Sequence, residues 1–308
     1  MKDRVVVLMG GFSAERAVSL ASGAAVAAAL EQSGYAVATI DVRRDMQTLV
    51  AGIEAANPRV VFNALHGRFG EDGRIQGVLD IMKIPYTHSG VLASALAMDK
   101  PAAKRVFAAS GIPVAEGRVV PKAEVLAGDV LPRPYVLKPL NEGSSVGVRI
   151  VREGDNVGPF GEEEWPFGDV VLAERFIPGR EITVAVMGDR ALGATEITSD
   201  RGFYDYTAKY APGGSRHLVP APLPPQAYDD ALILGLKAHQ ALGCRGVTRA
   251  DLRYDDTQPD QLGRFVMLEV NTQPGMTPTS LVPELAAYAG LSFAELVTWM
   301  VENARCDA

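Results

Sequence analysis

Cysteine is nearly absent from this chain, and several protein classes are excluded by what else is missing. Only two cysteines occur among 308 residues, Cys244 and Cys306, which gives neither a disulfide framework nor the spacing of a cysteine metal site. No run of about 18 apolar residues is present, so the sequence predicts no membrane span. The apolar stretch at residues 5–9 is too short for a secretory signal. These features predict a cytoplasmic protein whose thiols stay reduced.

Positive charge is also in short supply. Lysine and arginine total 30 against 37 aspartate and glutamate, and the formal net charge of -7 argues against non-specific binding to nucleic acid. Charged residues make up only 22% of the chain and hydrophobic residues 47%, which is typical of a folded globular protein. The length suits two or three domains.

Two segments near the C-terminus alternate between polar and apolar residues and predict a pair of antiparallel strands. Asp251 in the first segment and Glu269 in the second are about equally far from the loop between them, so they should face each other. Two such charges about 4 Å apart repel by roughly 4 kcal/mol at an effective dielectric of about 20. A divalent cation would offset this repulsion, and Asn271 adds an amide oxygen that suits magnesium. The alternative is a solvated polar face on which Arg249 or Arg253 pairs with the acids.

The first hundred residues alternate strand-like and helix-like segments, which predicts an α/β unit with a parallel sheet covered on both faces. Glu15 and His66 each follow a predicted strand, at the edge where such folds bind ligands. Glu15 could hold an ammonium group there, or it could simply complement a helix dipole. A single loop histidine such as His66 is often no more than a local hydrogen-bonding residue.

The middle of the chain changes to mixed structure near residue 98, which predicts a domain boundary. Lys138 ends a predicted strand and is followed by the Gly/Ser-rich loop 141–147. This pattern is a hairpin in its simplest interpretation, but bare glycine amides and hydroxyls can also fold over phosphates, with the lysine as a matching charge. The long Pro/Gly-rich segment 202–225 contains many aromatic residues and predicts a lid.

Seven segments in this order resemble the D-alanine–D-alanine ligases of the ATP-grasp superfamily. They are GGFSAERAVSL, NALHGRFGEDG, SGVLASALAMDK, LKPLNEGSSVGV, FYDYTAKY, RADLRY and MLEVNTQPGMTPTSLVP. The resemblance covers essentially the whole chain, with small departures at Phe12 and Arg175 and weak agreement over 116–132 and 154–169. It implies an α/β fold, with α+β structure in the ATP-grasp part. The implied domains are an N-terminal parallel-sheet domain over 1–98, a central lobe over 99–182 and a C-terminal lobe over 183–308, with mixed or antiparallel sheets in the two lobes that clamp ATP.

The resemblance also implies residue roles toward ATP. Lys100 and Lys138 would contact its phosphates, under a loop that carries Ser144 and Ser145. The hinge backbone would meet adenine, and Glu181 would bind the ribose. The hinge residues are Glu174, Arg175, Phe176 and Ile177. The 202–225 lid would contribute Lys209 and Tyr210.

Toward the amino-acid substrates and metal, the implied roles are the following. Glu15 would bind the ammonium group of the first D-alanine, with His66 nearby. Tyr210, Ser144 and Glu15 would form a hydrogen-bond network. Ser280 and Leu281 would receive the carboxylate of the second D-alanine. Arg249 and the Gly275 amide would stabilise the tetrahedral oxyanion. Two magnesium ions, for which manganese may substitute, would be held by Asp251, Glu269 and Asn271.

The implied reaction is an ADP-forming ligation of two D-alanines through an acyl phosphate, for peptidoglycan precursors of the cell wall, by a cytoplasmic homodimer. Tyr210 favours D-alanine over D-lactate as the second substrate. Three alternatives stay open. A different ATP-grasp ligase would keep the metal-binding residues but would not need Glu15. A non-catalytic nucleotide-binding module would bind ATP without turnover. A nicotinamide oxidoreductase would bind its cofactor at Gly10 and Gly11, with Asp41 as the lone candidate for the ribose partner.

Overall fold

A computed structural model of the chain describes residues 3–141, 143, 147–155, 165, 168–198, 216–258 and 263–307. Its first layer is a three-stranded parallel sheet of order β2-β1-β3, the N-terminal sheet. The strands are β1 (Arg4–Gly10), β2 (Ala36–Val42) and β3 (Val60–Asn63). This confirms the predicted parallel unit, and the side chains at 5–8 are completely buried, as expected where both sheet faces are covered.

Two helices cover each face of the N-terminal sheet. The inward side chains of β1 alternate: Val5 and Val7 belong to one hydrophobic cluster, Val6 and Leu8 to another. On the first face lie α1 (Arg16–Gln32) and α9 (Phe293–Glu302), and on the second lie α2 (Met46–Ala56) and α3 (Arg74–Ile81). The last helix of the chain therefore packs on the first sheet, although the sequence assigned residues 183–308 to a separate lobe.

The central sheet is antiparallel, with strand order β4-β7-β5-β6. Its strands are β4 (Gly117–Pro121), β5 (Tyr135–Lys138), β6 (Arg149–Val151) and β7 (Val170–Arg175). Helix α6 (Lys122–Ala127) follows β4 and supplies Val125 to the apolar core on one face of this sheet. Because Lys138 is the final residue of β5, the strand delivers it to the sheet edge where the Gly/Ser-rich loop begins.

The C-terminal sheet has five antiparallel strands in the order β10-β9-β8-β11-β12. They are β8 (Arg180–Met187), β9 (Arg190–Thr198), β10 (Arg216–Leu218), β11 (Val247–Asp255) and β12 (Arg264–Asn271). Three helices pack against it through a shared apolar cluster: α4 (Val91–Met98), α5 (Lys100–Ala109) and α7 (Pro225–Ala241). Strand β8 begins at residue 180, so this sheet includes the last residues of the segment predicted as the central lobe.

Helix α8 (Leu281–Tyr288) follows the NTQPG turn and leads into α9. These two apolar helices bend by 103° at the break between them. Within the described ranges no single helix is long and apolar enough to cross a membrane.

Candidate active site

A cavity of about 490 Å³ opens where the ends of the N-terminal strands meet β12 and the start of α8. Residues far apart in sequence line it, and they include most of those predicted to bind the amino acids and the metal. The predicted residues in its wall are Glu15, His66, Lys100, Arg249, Glu269, Asn271, Gly275, Ser280 and Leu281.

The predicted pair of acidic strands is confirmed. In the β11–β12 ladder Asp251 pairs with Glu269, and Arg249 pairs with Asn271. The register shifts immediately after Asp251, which adds a local irregularity at the position of the two acids. The strand geometry thus brings two carboxylates and an amide to one end of the ladder, next to the cavity.

Both predicted metal-binding acids, Asp251 and Glu269, have a positively charged partner. The Arg249 guanidinium donates from Nε to Oδ1 of Asp251 at 2.9 Å and from Nη2 to Oδ2 at 2.7 Å. The Thr183 hydroxyl also donates to Oδ1 of Asp251, at 2.5 Å, and Asp251 is only 6% exposed. Glu269 lies 3.6 Å from Nζ of Lys100. The ion-pair alternative raised by the sequence is therefore realised at Asp251, where the arginine occupies both carboxylate oxygens.

The oxygen donors fit magnesium only in part. Glu269 and Asn271 line the cavity, whereas Asp251 lies behind Arg249. In the part of the chain that the structure describes, no group of three or more histidine, cysteine, aspartate or glutamate side chains is placed to hold a metal ion. Magnesium bound beside nucleotides typically takes one or two carboxylates together with phosphate oxygens and water, and does not need an all-protein cage. Glu269 and Asn271 supply such an open, all-oxygen set.

Glu15 is held at the other wall of the cavity by the first turn after β1. It is the N-cap of α1 and is 8% exposed. Ser13 fixes this turn, because its hydroxyl accepts from the Glu15 amide at 3.2 Å and donates to the His66 carbonyl at 2.7 Å. A methyl group added at Gly67 would lie 2.8 Å from Oε2 of Glu15, so the two predicted loops are in close contact.

His66 is buried between two polar side chains. Its Nδ1 lies 3.2 Å from Oε1 of Glu71, and its Nε2 lies 3.3 Å from the hydroxyl of Ser22. Glu71 also lines the cavity, so two carboxylates, Glu15 and Glu71, face the same end of it. A negative wall of this kind suits a substrate ammonium group. From the sequence Glu71 was expected only to begin a helix, because the turn that brings it back to His66 has no clear sequence pattern.

The NTQPG turn (residues 271–275) is held by hydrogen bonds to the N-terminal part of the chain, next to the cavity. Asn63, the last residue of β3, donates from Nδ2 to Oε1 of Gln273 at 2.7 Å. Gln273 donates in turn to the carbonyl of Leu65, and the Met276 amide donates to the Ser22 hydroxyl at 3.3 Å. The amide of Gln273 donates to Oδ1 of Asn271 at 2.8 Å, which fixes the amide group that follows Glu269 on the cavity wall.

Ser280 and Leu281 stand at the beginning of α8. Ser280 is the N-cap, and its hydroxyl accepts from the Thr277 amide at 3.2 Å. The first amides of a helix carry partial positive charge and bind carboxylates well. Beside them His217 on β10 lines the cavity, with Nδ1 2.9 Å from Oε2 of Glu284 on α8. The sequence did not indicate this histidine as a site residue, although it lies within the predicted lid segment 202–225; the structure places it in strand β10.

The predicted nucleotide residues lie near the central sheet. Glu174 is 4% exposed and forms ion pairs with both Lys138 and Lys104. Burial alone would raise the pKa of the Glu174 carboxyl, but the two ammonium groups together hold that pKa below its usual value. Lys104 was missed, although it stands four residues after Lys100 and so shares one face of α5 with it.

The hinge after β7 is already hydrogen-bonded within the fold. The Arg175 amide donates to the Glu116 carbonyl at 2.8 Å, and the Phe176 amide donates to the Pro134 carbonyl at 3.2 Å. The Ile177 carbonyl accepts from Nε of Arg253 at 3.2 Å, and Glu181 lies 3.7 Å from Nη1 of the same arginine. An adenine held here would meet backbone groups of the hinge other than these two amides.

Four predicted residues, Ser144, Ser145, Lys209 and Tyr210, lie outside the described residues, as does most of the predicted lid. Gly143, which precedes the two serines, does line the cavity. A methyl group at Gly143 would lie 3.4 Å from Oε2 of Glu15, so the loop starts beside the proposed ammonium site.

The nicotinamide alternative loses its ribose partner in this structure. Asp41 forms ion pairs with Arg16 at 2.7 Å and with Arg43 at 2.6 Å. The Arg16 guanidinium in particular lowers the pKa of the Asp41 carboxyl to about 2. A carboxylate committed to two arginines in this way is poorly suited to bind a ribose hydroxyl.

Comparison with known proteins identifies the family. A family model described as "D-ala D-ala ligase C-terminus" matches residues 106–302, and one described as "D-ala D-ala ligase N-terminus" matches residues 48–89. The chain is 66% identical to a D-alanine–D-alanine ligase of Paramagnetospirillum magneticum and 63% identical to one of Rhodospirillum rubrum, over 308 residues and 100% of both chains in each case. The chain belongs to the D-alanine–D-alanine ligase family.

Solved structures of the D-alanine–D-alanine ligase family have the same fold. The ligase of Bacillus anthracis complexed with ATP superimposes with a TM-score of 0.80 at 28% identity, covering 98% of this chain and 97% of that one. The VanG D-Ala:D-Ser ligase of Enterococcus faecalis gives a TM-score of 0.80 at 27% identity, covering 98% of this chain and 99% of that one. The predicted ATP-grasp architecture is thereby confirmed.

Proposed function

We propose that this protein joins two D-alanines with the conversion of ATP to ADP and phosphate, as a step in peptidoglycan precursor synthesis. The observation that carries the proposal is the cavity itself, which places Glu15, Lys100, Glu269 and Ser280 around one volume although they come from four different elements. An acidic wall, a basic wall and a helix N-terminus are the three features that an ammonium group, a triphosphate and a carboxylate require.

The first D-alanine binds by its ammonium group to the acidic wall formed by Glu15, with His66 and Glu71 behind it. This orientation directs its carboxylate toward Lys100 and the γ-phosphate of ATP. Phosphoryl transfer to that carboxylate needs positioning and charge neutralisation more than covalent assistance. The product of this step is an acyl phosphate, which water would hydrolyse, so exclusion of water by the 202–225 lid is part of the proposal.

The second D-alanine binds by its carboxylate at the N-terminus of α8, where Ser280 and Leu281 line the cavity. Its amine then attacks the acyl carbonyl, and phosphate leaves. The Gly275 amide and Arg249 are the candidate donors to the oxyanion formed in this step. Removing one such donor typically lowers the rate by about 10²–10³. Arg249 lines the cavity while it is bound to Asp251 through Nε and Nη2, and its Nη1 group is the proposed donor to the oxyanion.

Magnesium, when bound, neutralises the phosphate charge during transfer. Glu269 and Asn271 are placed to hold it at the cavity wall. Asp251 would be a further ligand if the bonds from Arg249 were released, and manganese, with its similar oxygen preference, would substitute. The proposal of two ions rests on the family resemblance and on this oxygen-rich set.

The nucleotide is proposed to lie between the central and C-terminal sheets. Lys100 and Lys138 are its phosphate contacts, Ser144 and Ser145 belong to the loop over them, and Lys209 belongs to the lid. The hinge residues 174–177 meet adenine and Glu181 meets the ribose. A Bacillus anthracis family member of the same fold has been solved as a complex with ATP, which supports ATP as the nucleotide.

D-Alanine is proposed over D-lactate as the second substrate because Tyr210 is present in the lid, where it would act with Ser144 and Glu15. Family membership also leads us to infer a cytoplasmic homodimer. The net charge of -7 favours small molecules over nucleic acid as its partners, and no membrane partner is proposed. Sedimentation velocity tests the dimer, and a monomer at assay concentration would refute it.

A coupled assay tests the function. Phosphate release is measured with D-alanine, L-alanine or D-lactate in the presence of ATP and Mg²⁺, and products are identified by mass. We expect release only with D-alanine, or with D-alanine plus D-lactate, and a dipeptide as the main product of the mixture. Release with some other carboxylate would favour a different ATP-grasp ligase. ATP binding without release under any condition would favour a non-catalytic module, and a mainly depsipeptide product would refute the substrate preference.

A further inference from the structure

Glu174 is a buried carboxylate with two lysine partners that come from different elements. Lys138 reaches it from the end of β5, and Lys104 reaches it from the middle of α5. Both lysine side chains are largely buried themselves. A single carboxylate needs one counter-charge, so the second lysine requires an explanation.

The two lysines differ in how firmly they are held. Lys104 has a second anchor, since its Nζ donates to the Ala115 carbonyl at 2.7 Å. The helix that carries it is fixed by Asp99, which caps the Ala102 amide at 2.8 Å, and by the buried Phe107. In the part of the chain that the structure describes, Glu174 is the only acidic partner of Lys138, and Lys138 stands at the start of the loop proposed to cover the phosphates.

These differences separate the lysines into a fixed and a movable charge. If Lys138 binds a triphosphate, as the proposed function requires, it must give up Glu174. A carboxylate at 4% exposure that loses its sole counter-ion pays a large desolvation cost, which would oppose nucleotide binding. With Lys104 in place, the carboxylate stays paired when Lys138 moves.

We propose that Lys104 is a positioning residue for nucleotide binding: it is the permanent counter-charge of Glu174 that allows Lys138 to transfer from this carboxylate to the phosphates. Lys104 itself does not touch the nucleotide. It acts through Glu174 and so keeps the hinge strand β7 unchanged between the free and bound states. Because the inference rests on the proposed use of ATP, its test measures nucleotide binding separately from ligation.

The experiment compares K104M with R105M, which removes an exposed cation from the next position of the same helix. Affinity for a non-hydrolysable ATP analogue is measured by titration calorimetry, with KM for ATP and for D-alanine alongside. We expect K104M to raise the Kd and the KM for ATP about tenfold, the effect expected for losing a buried hydrogen bond to a charged group. The KM for D-alanine should be unchanged, and R105M should match wild type.

A second background separates this role from a merely structural one. In the E174Q background residue 174 carries no negative charge, so it needs no counter-charge from Lys104. Adding K104M to E174Q should therefore change the nucleotide Kd by less than about twofold, whereas K104M alone should change it about tenfold. An equal loss in both backgrounds, or a lower melting temperature with an unchanged Kd, would overturn the proposal. Phosphate release that depends on D-alanine in wild type, together with no effect of K104M on affinity, would refute the role of Lys104 while leaving the ligase function intact.

Should K104M fail to fold, K104R decides the question. Burial lowers the pKa of the Lys104 ammonium; the nearby Lys138 lowers it further, and the Glu174 carboxylate raises it. The net shift is downward, so this lysine should lose its charge at a lower pH than an exposed one. Nucleotide affinity of wild type should therefore fall as pH rises, at a lower pH than the one at which exposed lysines lose their charge. In K104R the fall should move to higher pH, because arginine stays charged. An identical pH profile for wild type and K104R would contradict the proposal.

Discussion

Two buried histidines should make this protein sensitive to mild acid. His88 and His239 are almost fully buried, and burial lowers the pKa of His88 to about 3 and of His239 to about 4, from an ordinary value of 6.5. His239 shares a hydrogen bond of 2.8 Å with the Thr248 hydroxyl, whereas His88 has no partner within the described residues for its buried Nε2. A proton gained by either ring in the folded state would place a positive charge away from solvent, which is unfavourable.

The sign of the effect follows from proton linkage. The folded pKa of both groups lies below the unfolded one, so their contribution to stability is complete above pH 6.5 and is lost as pH falls toward the folded values. At pH 5.5, one unit below the unfolded pKa, each histidine costs about 1.4 kcal/mol relative to neutral pH, or about 3 kcal/mol together. That is a substantial part of the roughly 5–15 kcal/mol that stabilises a typical domain.

Urea unfolding at pH 7.5 and pH 5.5 measures this loss. In H239N the side-chain amide can keep the bond to Thr248 but does not titrate, so the loss between the two pH values should shrink by about 1.4 kcal/mol. For each protein the free energy of unfolding at pH 5.5 is compared with its own value at pH 7.5, so any change in stability that H239N causes at neutral pH cancels. An equal loss in wild type and H239N would show that His239 does not remain neutral in the folded state, and the reasoning would fail.

Three further substitutions test the site. E269Q should lower kcat/KM by at least about 100-fold and weaken the dependence on magnesium, since several kcal/mol of charge stabilisation are lost, while the exposed E153Q should behave as wild type. G67A and G34A should each lower the free energy of unfolding by about 1 kcal/mol, because both glycines have positive φ. Only G67A should raise the KM for D-alanine: its methyl group would lie 2.8 Å from Oε2 of Glu15, whereas Gly34 faces open space. S280A should raise the KM for D-alanine several-fold and leave the KM for ATP unchanged; equal changes in both constants would contradict the placement of the second carboxylate.

The sequence was most informative where periodicity and chain order suffice. The alternation at 249–254 and 265–271 predicted that Asp251 faces Glu269, and the ladder confirms it. The parallel N-terminal unit followed from strands alternating with helices. These features depend on neighbouring residues, for which backbone geometry determines which side chains share a face.

Contacts between distant segments could not be predicted in this way. Asp251 pairs with Arg249 rather than with solvent because of the side-chain conformations and because of a hydrogen bond from Thr183. Thr183 lies 68 positions before Asp251 in the chain, on another strand. The packing of α9 on the first sheet places Met300 and Val301 in one hydrophobic cluster with Phe62 of β3, and no local pattern encodes that association. His217 and Lys104 were missed for the same reason, since their partners Glu284 and Glu174 lie 67 and 70 positions away.

The central claim is that the acidic ladder of β11 and β12 grips magnesium against the phosphates of ATP. A crystal structure with a non-hydrolysable ATP analogue and Mg²⁺ tests it most directly. The account predicts that oxygens of Glu269 and Asn271 coordinate the ion beside the phosphates. A triphosphate bound elsewhere, with Glu269 still paired to Lys100, would contradict it.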